Sequence, residues 1–216
     1  MSILQILSCI GLIILLLNTG LYFIGFTRNG KAYKSFFFYL LFILLLQIIM
    51  QAHALLNKNN HYLSTYYLFF NFIFLSIFFY YLFYNIRAKV SSVIKYSGLA
   101  ILSGLCVQYI LNPQLYYNFN SVGFLITYSL LIVYSVIYLL ELVSKKMTFT
   151  YIIVGMLVYF ISSSLIFATA TSIVSFDNEV NMLIWKINAV LFILYQLLIL
   201  LEWIQAFYKK APVREQ

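Results

Sequence analysis

"NMLIWKINAVLFILYQLLILLEW", residues 181–203, holds two charges, Lys186 and Glu202, at opposite ends of an otherwise uncharged run. About 20 apolar residues suffice for a helix to cross the hydrocarbon core of a bilayer. Read as such a span, the segment keeps both charges near water, where an ionised group is far less costly than at the bilayer centre. Lys186 lies near the start, and its stem is long enough to snorkel outward toward Asp177 and Glu179 in "SFDNEVN". The sharper alternative is that Lys186 lines a pocket.

The same pattern recurs along the chain. Seven spans are expected, at about 3–26, 36–55, 65–85, 94–112, 121–143, 151–174 and 182–206. The composition agrees: 64% of the 216 residues are hydrophobic and 8% charged, with a mean hydropathy of +0.98. A soluble domain of this size has no way to cover such a surface. The expected fold is therefore all-α: residues 1–216 form one seven-helix transmembrane domain, ending in a short cytoplasmic tail, 207–216. "MSILQILSCIGLIILLLNTGLYFIGF" lacks the basic start and cleavage site of a signal peptide and reads as a retained first span.

The basic residues orient the bundle. Arg28, Lys31 and Lys34 follow span 1, Arg87, Lys89 and Lys95 follow span 3, Lys145 and Lys146 follow span 5, and Lys209, Lys210 and Arg214 lie in the tail. The opposite loops carry only Lys58, with the acids Asp177 and Glu179. The positive-inside rule puts the N-terminus outside and the C-terminus in the cytoplasm of a multi-pass protein, expected in a bacterial cytoplasmic membrane. The net charge of +8 thus belongs to topology and not to nucleic-acid binding. Spans 5, 6 and 7 begin 117 residues after positions 4, 34 and 65, close to the starts of spans 1, 2 and 3, a spacing that fits a 3+1+3 pseudo-repeat with Asn71 opposite Asn188. Similar spacing of antiparallel helices gives the same offset without a repeat.

Polar side chains inside the spans are the informative ones, because they must face the bundle interior, a cavity or one another. Gln47 and Gln51 are one helical turn apart, and Trp185, Asn188, Tyr195 and Gln196 share a face of span 7. With Asn71, Gln108, Thr127 and Lys186 they are expected to line an outward-opening pocket between spans 2, 3, 5, 6 and 7, or else to cross-link helices. Glu141 and Glu202, near the inner boundary, are candidates for a proton relay or for interfacial anchors. Glu141 precedes Lys145 by one turn, a favourable ion-pair spacing.

Chemistry beyond binding finds little support. Cys9 and Cys106 lack metal or disulfide spacing, and "SSS" at 162–164 has no base at its depth. His53 and His61 lack a helical ligand relation. Seven helices with a lysine in the last invite comparison with microbial rhodopsins, but Lys186 is not mid-helix, position 182 is methionine and span 3 has no acid. Zinc hydrolases of the ceramidase and adiponectin-receptor type need three histidines, and the chain has two. In the sugar transporters with 3+1+3 repeats the Pro-Gln motif belongs in the first helix of each repeat, whereas Pro113 and Gln114 end span 4.

No catalytic set, cofactor or metal is expected. The first expected function is a receptor-like or sensory protein that takes a small or lipid-like ligand from outside and signals through a membrane-protein partner or a second copy of itself. A small secondary transporter is the alternative, and a structural or assembly subunit of a membrane complex the third.

Overall fold

The computed structural model describes residues 3–56, 60–84, 86–142, 147–168 and 178–208, with backbone alone for 167–168, 178–181 and 208. These form seven α-helices: α1 Ile3–Ile24, α2 Lys31–Leu55, α3 Tyr62–Tyr84, α4 Ala88–Leu111, α5 Ser121–Leu142, α6 Thr150–Ala168 and α7 Asn178–Glu202. A π-helical segment, Trp203–Tyr208, prolongs α7, so residues 207 and 208 of the expected tail are helical; residues 209–216 lie outside the described residues. Six helices, all except α6, are long and apolar enough to cross a membrane. The apolar stretch described for α6, Thr150–Ile166, is shorter, and the end of its expected span, 169–174, lies outside the described residues.

The helices run uninterrupted because proline, which would break them, is kept out: Pro113 follows α4 and opens a short 3₁₀ turn, Pro113–Tyr116. Between α1 and α2 the chain reverses within six residues, where Asn29 Nδ2 donates to the Gly25 carbonyl at 2.8 Å. Gly25 is required at this turn, because the Tyr33 hydroxyl occupies the place a Cβ would take.

The helices close into a ring in the order α1, α2, α3, α5, α6, α7, with α7 returning to α1. The fourth helix, α4, lies outside this ring, against α3 and, more lightly, α5. Lipid tails are as apolar as leucine, so such a bundle is held by close packing and interhelical hydrogen bonds more than by hydrophobic burial. Its interior is accordingly dense in aromatic rings with fully buried hydroxyls, among them Tyr22, Tyr39, Tyr128 and Tyr195. Isoleucine, leucine and valine dominate the outward faces, as at Ile13, Leu16, Val107 and Leu165.

The two ends differ in charge. At one, Arg87 pairs with Glu141 at 2.6 Å and the Lys31 ammonium lies 5.6 Å from the centre of the Tyr81 ring. At the other, tyrosines meet: Tyr66 and Tyr116 share a hydrogen bond of 2.7 Å, and Tyr62 lies 3.1 Å from Nε2 of His53. Nδ1 of His53 is 3.0 Å from the Ile49 carbonyl and so carries the proton, leaving Nε2 to accept from Tyr62. His53 is thereby engaged, and among the described residues no group of His, Cys, Asp and Glu is arranged to hold a metal ion.

Candidate functional site

At the tyrosine-rich end a cavity of about 360 Å³ opens between α1, α2, α6 and α7. Its walls follow from helical periodicity. Leu4, Leu7, Ser8 and Leu12 form one stripe of α1, Gln47, Met50, Gln51 and Ala54 one stripe of α2, and Trp185, Asn188, Ala189 and Phe192 one stripe of α7. Asn60 adds to the rim and Tyr159 of α6 completes the lining. Small side chains at Ser8, Ala54 and Ala189 leave the space open. At Gly11 the space ends, because a Cβ there would stand 3.0 Å from the Phe192 ring, and α1 and α7 close together.

Among the described residues, none that lines this cavity is charged. Its polar groups are the amides of Gln47, Gln51, Asn60 and Asn188 and the hydroxyls of Ser8 and Tyr159, set among leucine, methionine and aromatic surface. Asn188 is held in place by Ser163, whose Oγ donates to its Oδ1 at 2.9 Å, and Tyr159 lies beside both. These are a few oriented hydrogen-bonding groups on a largely apolar wall. Lys186, half-buried, is absent from the lining. Of its expected partners, Asp177 lies outside the described residues and Glu179 is described in backbone only.

Polar groups continue inward from the cavity along the bundle interior. The Tyr195 ring stacks on Tyr159 at 5.6 Å and 11°, and its hydroxyl lies beside that of Tyr39. Asn18 of α1 donates Nδ2 to the Gln196 carbonyl at 2.8 Å and to its Oε1 at 2.9 Å. Both residues are fully buried. Toward the basic end come Tyr22, stacked on Tyr33 at 4.9 Å, and then Glu202, 2% exposed. The Tyr22 hydroxyl, Oδ1 of Asn18 and Nε2 of Gln196 are buried without a hydrogen-bond partner among the described residues.

The structure brings together Gln47, Gln51, Trp185 and Asn188 of the residues singled out by sequence, and sets Tyr195 and Gln196 beneath them. The others sit apart. Asn71 is buried and donates to the Tyr128 hydroxyl at 3.3 Å, and Thr127 donates to the Gly123 carbonyl at 2.8 Å within its own helix. Gln108, at the end of α4, accepts from Asn120 at 3.1 Å. Glu141, near the end of α5, pairs with Arg87 in the α3–α4 turn, while Lys145 lies outside the described residues. Glu202 accepts the backbone N–H groups of Phe149 and Tyr151, capping the start of α6. Glu141 and Glu202 therefore occupy separate bonds at the basic end, with no bond between them.

The cavity is walled by α1, with Ser8, Asn60 and Tyr159, where the pattern of polar residues in the sequence points to α3 and α5. The cause is long-range: the ring closes through α1 and α7, a pairing that hydropathy does not encode. The signal for it was Gly11, a small residue in an otherwise bulky α1 stripe. No protein-family profile, curated protein or solved structure matches the chain.

Proposed function

We propose that the chain spans the membrane seven times with its N-terminus outside, and acts as a receptor-like protein for a small neutral ligand bound in the outer cavity. The carrying observation is the cavity itself: the amides of Gln47, Gln51 and Asn188 and the Trp185 ring on facing helices, with Asn60, Ser8 and Tyr159 as the other polar groups in a lining of leucine, methionine, alanine and phenylalanine. The orientation rests on the loop charges, since Arg28, Lys31, Arg87 and Lys89 belong to one end. A route for the signal is α7, which runs from Trp185 in the cavity to Glu202, the residue bonded to the start of α6. A ligand that favours one placement of α7 over another would change that bond, and a partner protein or second copy at the basic end would receive the change.

A second function, secondary transport, is favoured by one observation: the buried polar groups from Tyr159 to Glu202 line up between the cavity and the opposite end. The position of α4 outside the ring, leaving α1–α3 and α5–α7 as successive sets, supports a 3+1+3 pseudo-repeat.

Trp185 provides the test. The chain has two tryptophans, so Trp203→Phe leaves Trp185 as the only one. In the reconstituted variant, acrylamide should quench Trp185, and one class among fatty amides, phenols and lactones should protect it and shift its emission. Asn188→Leu should abolish that shift. A Trp185 inaccessible to acrylamide would overturn the cavity assignment, and ligand-dependent flux into proteoliposomes would select transport over signalling.

A further inference from the structure

We propose that the groove between α3 and α4 binds an anionic phospholipid, with an acyl chain along its walls and the phosphate held by Lys95 and Lys31. The proposal rests on the membrane-spanning reading but not on the outer cavity or its ligand, so the two fail independently.

The groove has a volume of about 490 Å³. It exists because α4 stands outside the ring, and because its floor is small: Gly98 faces Ser76, where a Cβ on Gly98 would still lie 3.7 Å from the serine. Ile73, Ile77, Leu99 and Leu102 form apolar sides suited to a hydrocarbon chain, and Ser76 Oγ, buried in this floor, has no hydrogen-bond partner among the described residues. Tyr80, Tyr81 and Lys95 stand at the end nearer the basic loops. The Lys31 ammonium, over the Tyr81 ring at 5.6 Å, flanks the same end from α2.

Charge selects the occupant. Lys95 lies about two helical turns inside α4 with its ammonium 5.8 Å from the centre of the Tyr96 ring, and a cation on a membrane-spanning helix favours a counter-ion. Neither Lys95 nor Lys31 has an acidic partner among the described residues. Glu141 is committed to Arg87 at 2.6 Å, and Glu202 is buried against the start of α6. A lipid phosphate in the adjoining leaflet supplies the missing charge while its chain fills the groove, as basic pockets between transmembrane helices do for anionic head groups.

The test is native mass spectrometry of the full chain, delipidated in detergent and titrated with dioleoyl phosphatidylglycerol or dioleoyl phosphatidylcholine. Phosphatidylglycerol should bind about tenfold more tightly. Lys95→Gln with Lys31→Gln should remove that preference while leaving phosphatidylcholine binding unchanged, which also reports that the variant is folded. Lys95→Arg should retain the preference, as should Lys89→Gln outside the groove, and Gly98→Leu should weaken both lipids. Glycerol 3-phosphate should not displace phosphatidylglycerol; displacement would mean that the lysines bind a free phosphate and not a lipid. Equal affinity for the two lipids, or a loss with Lys89→Gln as large as with Lys95→Gln and Lys31→Gln together, would overturn the site.

Discussion

The Glu202 carboxylate, at the end of α7, accepts the backbone N–H of Phe149 through Oε1 at 2.6 Å and that of Tyr151 through Oε2 at 2.8 Å. Phe149 has a φ of 66°, a left-handed conformation that costs a non-glycine residue about 1–3 kcal/mol. The bond compensates for this turn: it satisfies two amides that α6 leaves free at its start, and it sets a negative charge against the positive end of the helix. The packing of the Phe149 ring against Phe78 and Phe207 completes the joint.

Removing the carboxylate should therefore loosen α6 from α7. Hydrogen bonds to a charged group contribute about 1.5–3 kcal/mol each, so Glu202→Ala should lower stability by about 3 kcal/mol or more. Glu202→Gln, which retains one acceptor oxygen, should lose about half of that. Thermal unfolding in detergent, followed by intrinsic fluorescence, reads both. A Glu202→Gln variant as stable as the native chain, with Glu202→Ala still destabilised, would mean that the side chain acts by packing alone.

Asn18 and Gln196 form the other long-range polar joint, between α1 and α7. Each single change to leucine should cost about 1 kcal/mol, with a coupling of at least about 0.5 kcal/mol in the double-mutant cycle. Additive losses would show that the two amides do not support each other.

Two glycines should respond in opposite ways. At Gly155 a Cβ would stand 2.9 Å from the Tyr195 ring and 3.2 Å from Leu198, so Gly155→Ala should destabilise the α6–α7 contact by about 1–3 kcal/mol. Gly98→Ala meets only ordinary van der Waals distance at Ser76 and should be tolerated, or slightly stabilising through its helix propensity of up to about 1 kcal/mol. Unfolding midpoints of the two variants, compared in one detergent, decide it.

The Arg87–Glu141 pair, despite its 2.6 Å separation, is expected to contribute little. The arginine side chain is 59% exposed, and exposed pairs are worth about 0–1 kcal/mol and weaken with salt. Arg87→Gln should change the unfolding temperature by no more than a few degrees, and high salt should erase the difference.

How much of this was legible in the sequence depends on range. Helix existence, the turn after α1 and the break at Pro113 follow from local composition, and the observed helices begin and end within a few residues of the expected spans for α1, α3 and α5. Gln47, Gln51, Trp185 and Asn188 were recoverable because a stripe on one helix is a local property. Which stripes face each other is not local. Asn71 and Thr127 looked equivalent to Asn188, yet α3 and α5 turn them into the bundle, where Tyr128 and the Gly123 carbonyl engage them. Glu202 looked interfacial because it lies near a helix end, and only the approach of the α6 start explains its burial.

The most direct measurement of the central claim is cysteine accessibility. Cys9→Ser with Cys106→Ser removes both native thiols, and single cysteines are then introduced at Gln51, Lys89 and Leu16. In sealed cells a membrane-impermeant maleimide should label Gln51→Cys, on the cavity wall. It should label Lys89→Cys only after permeabilisation, and Leu16→Cys, on a lipid-facing side that is 57% exposed, in neither condition. Labelling of Lys89→Cys from outside would reverse the orientation. A Gln51→Cys as inert as Leu16→Cys would contradict a water-accessible cavity at the outer end of the bundle.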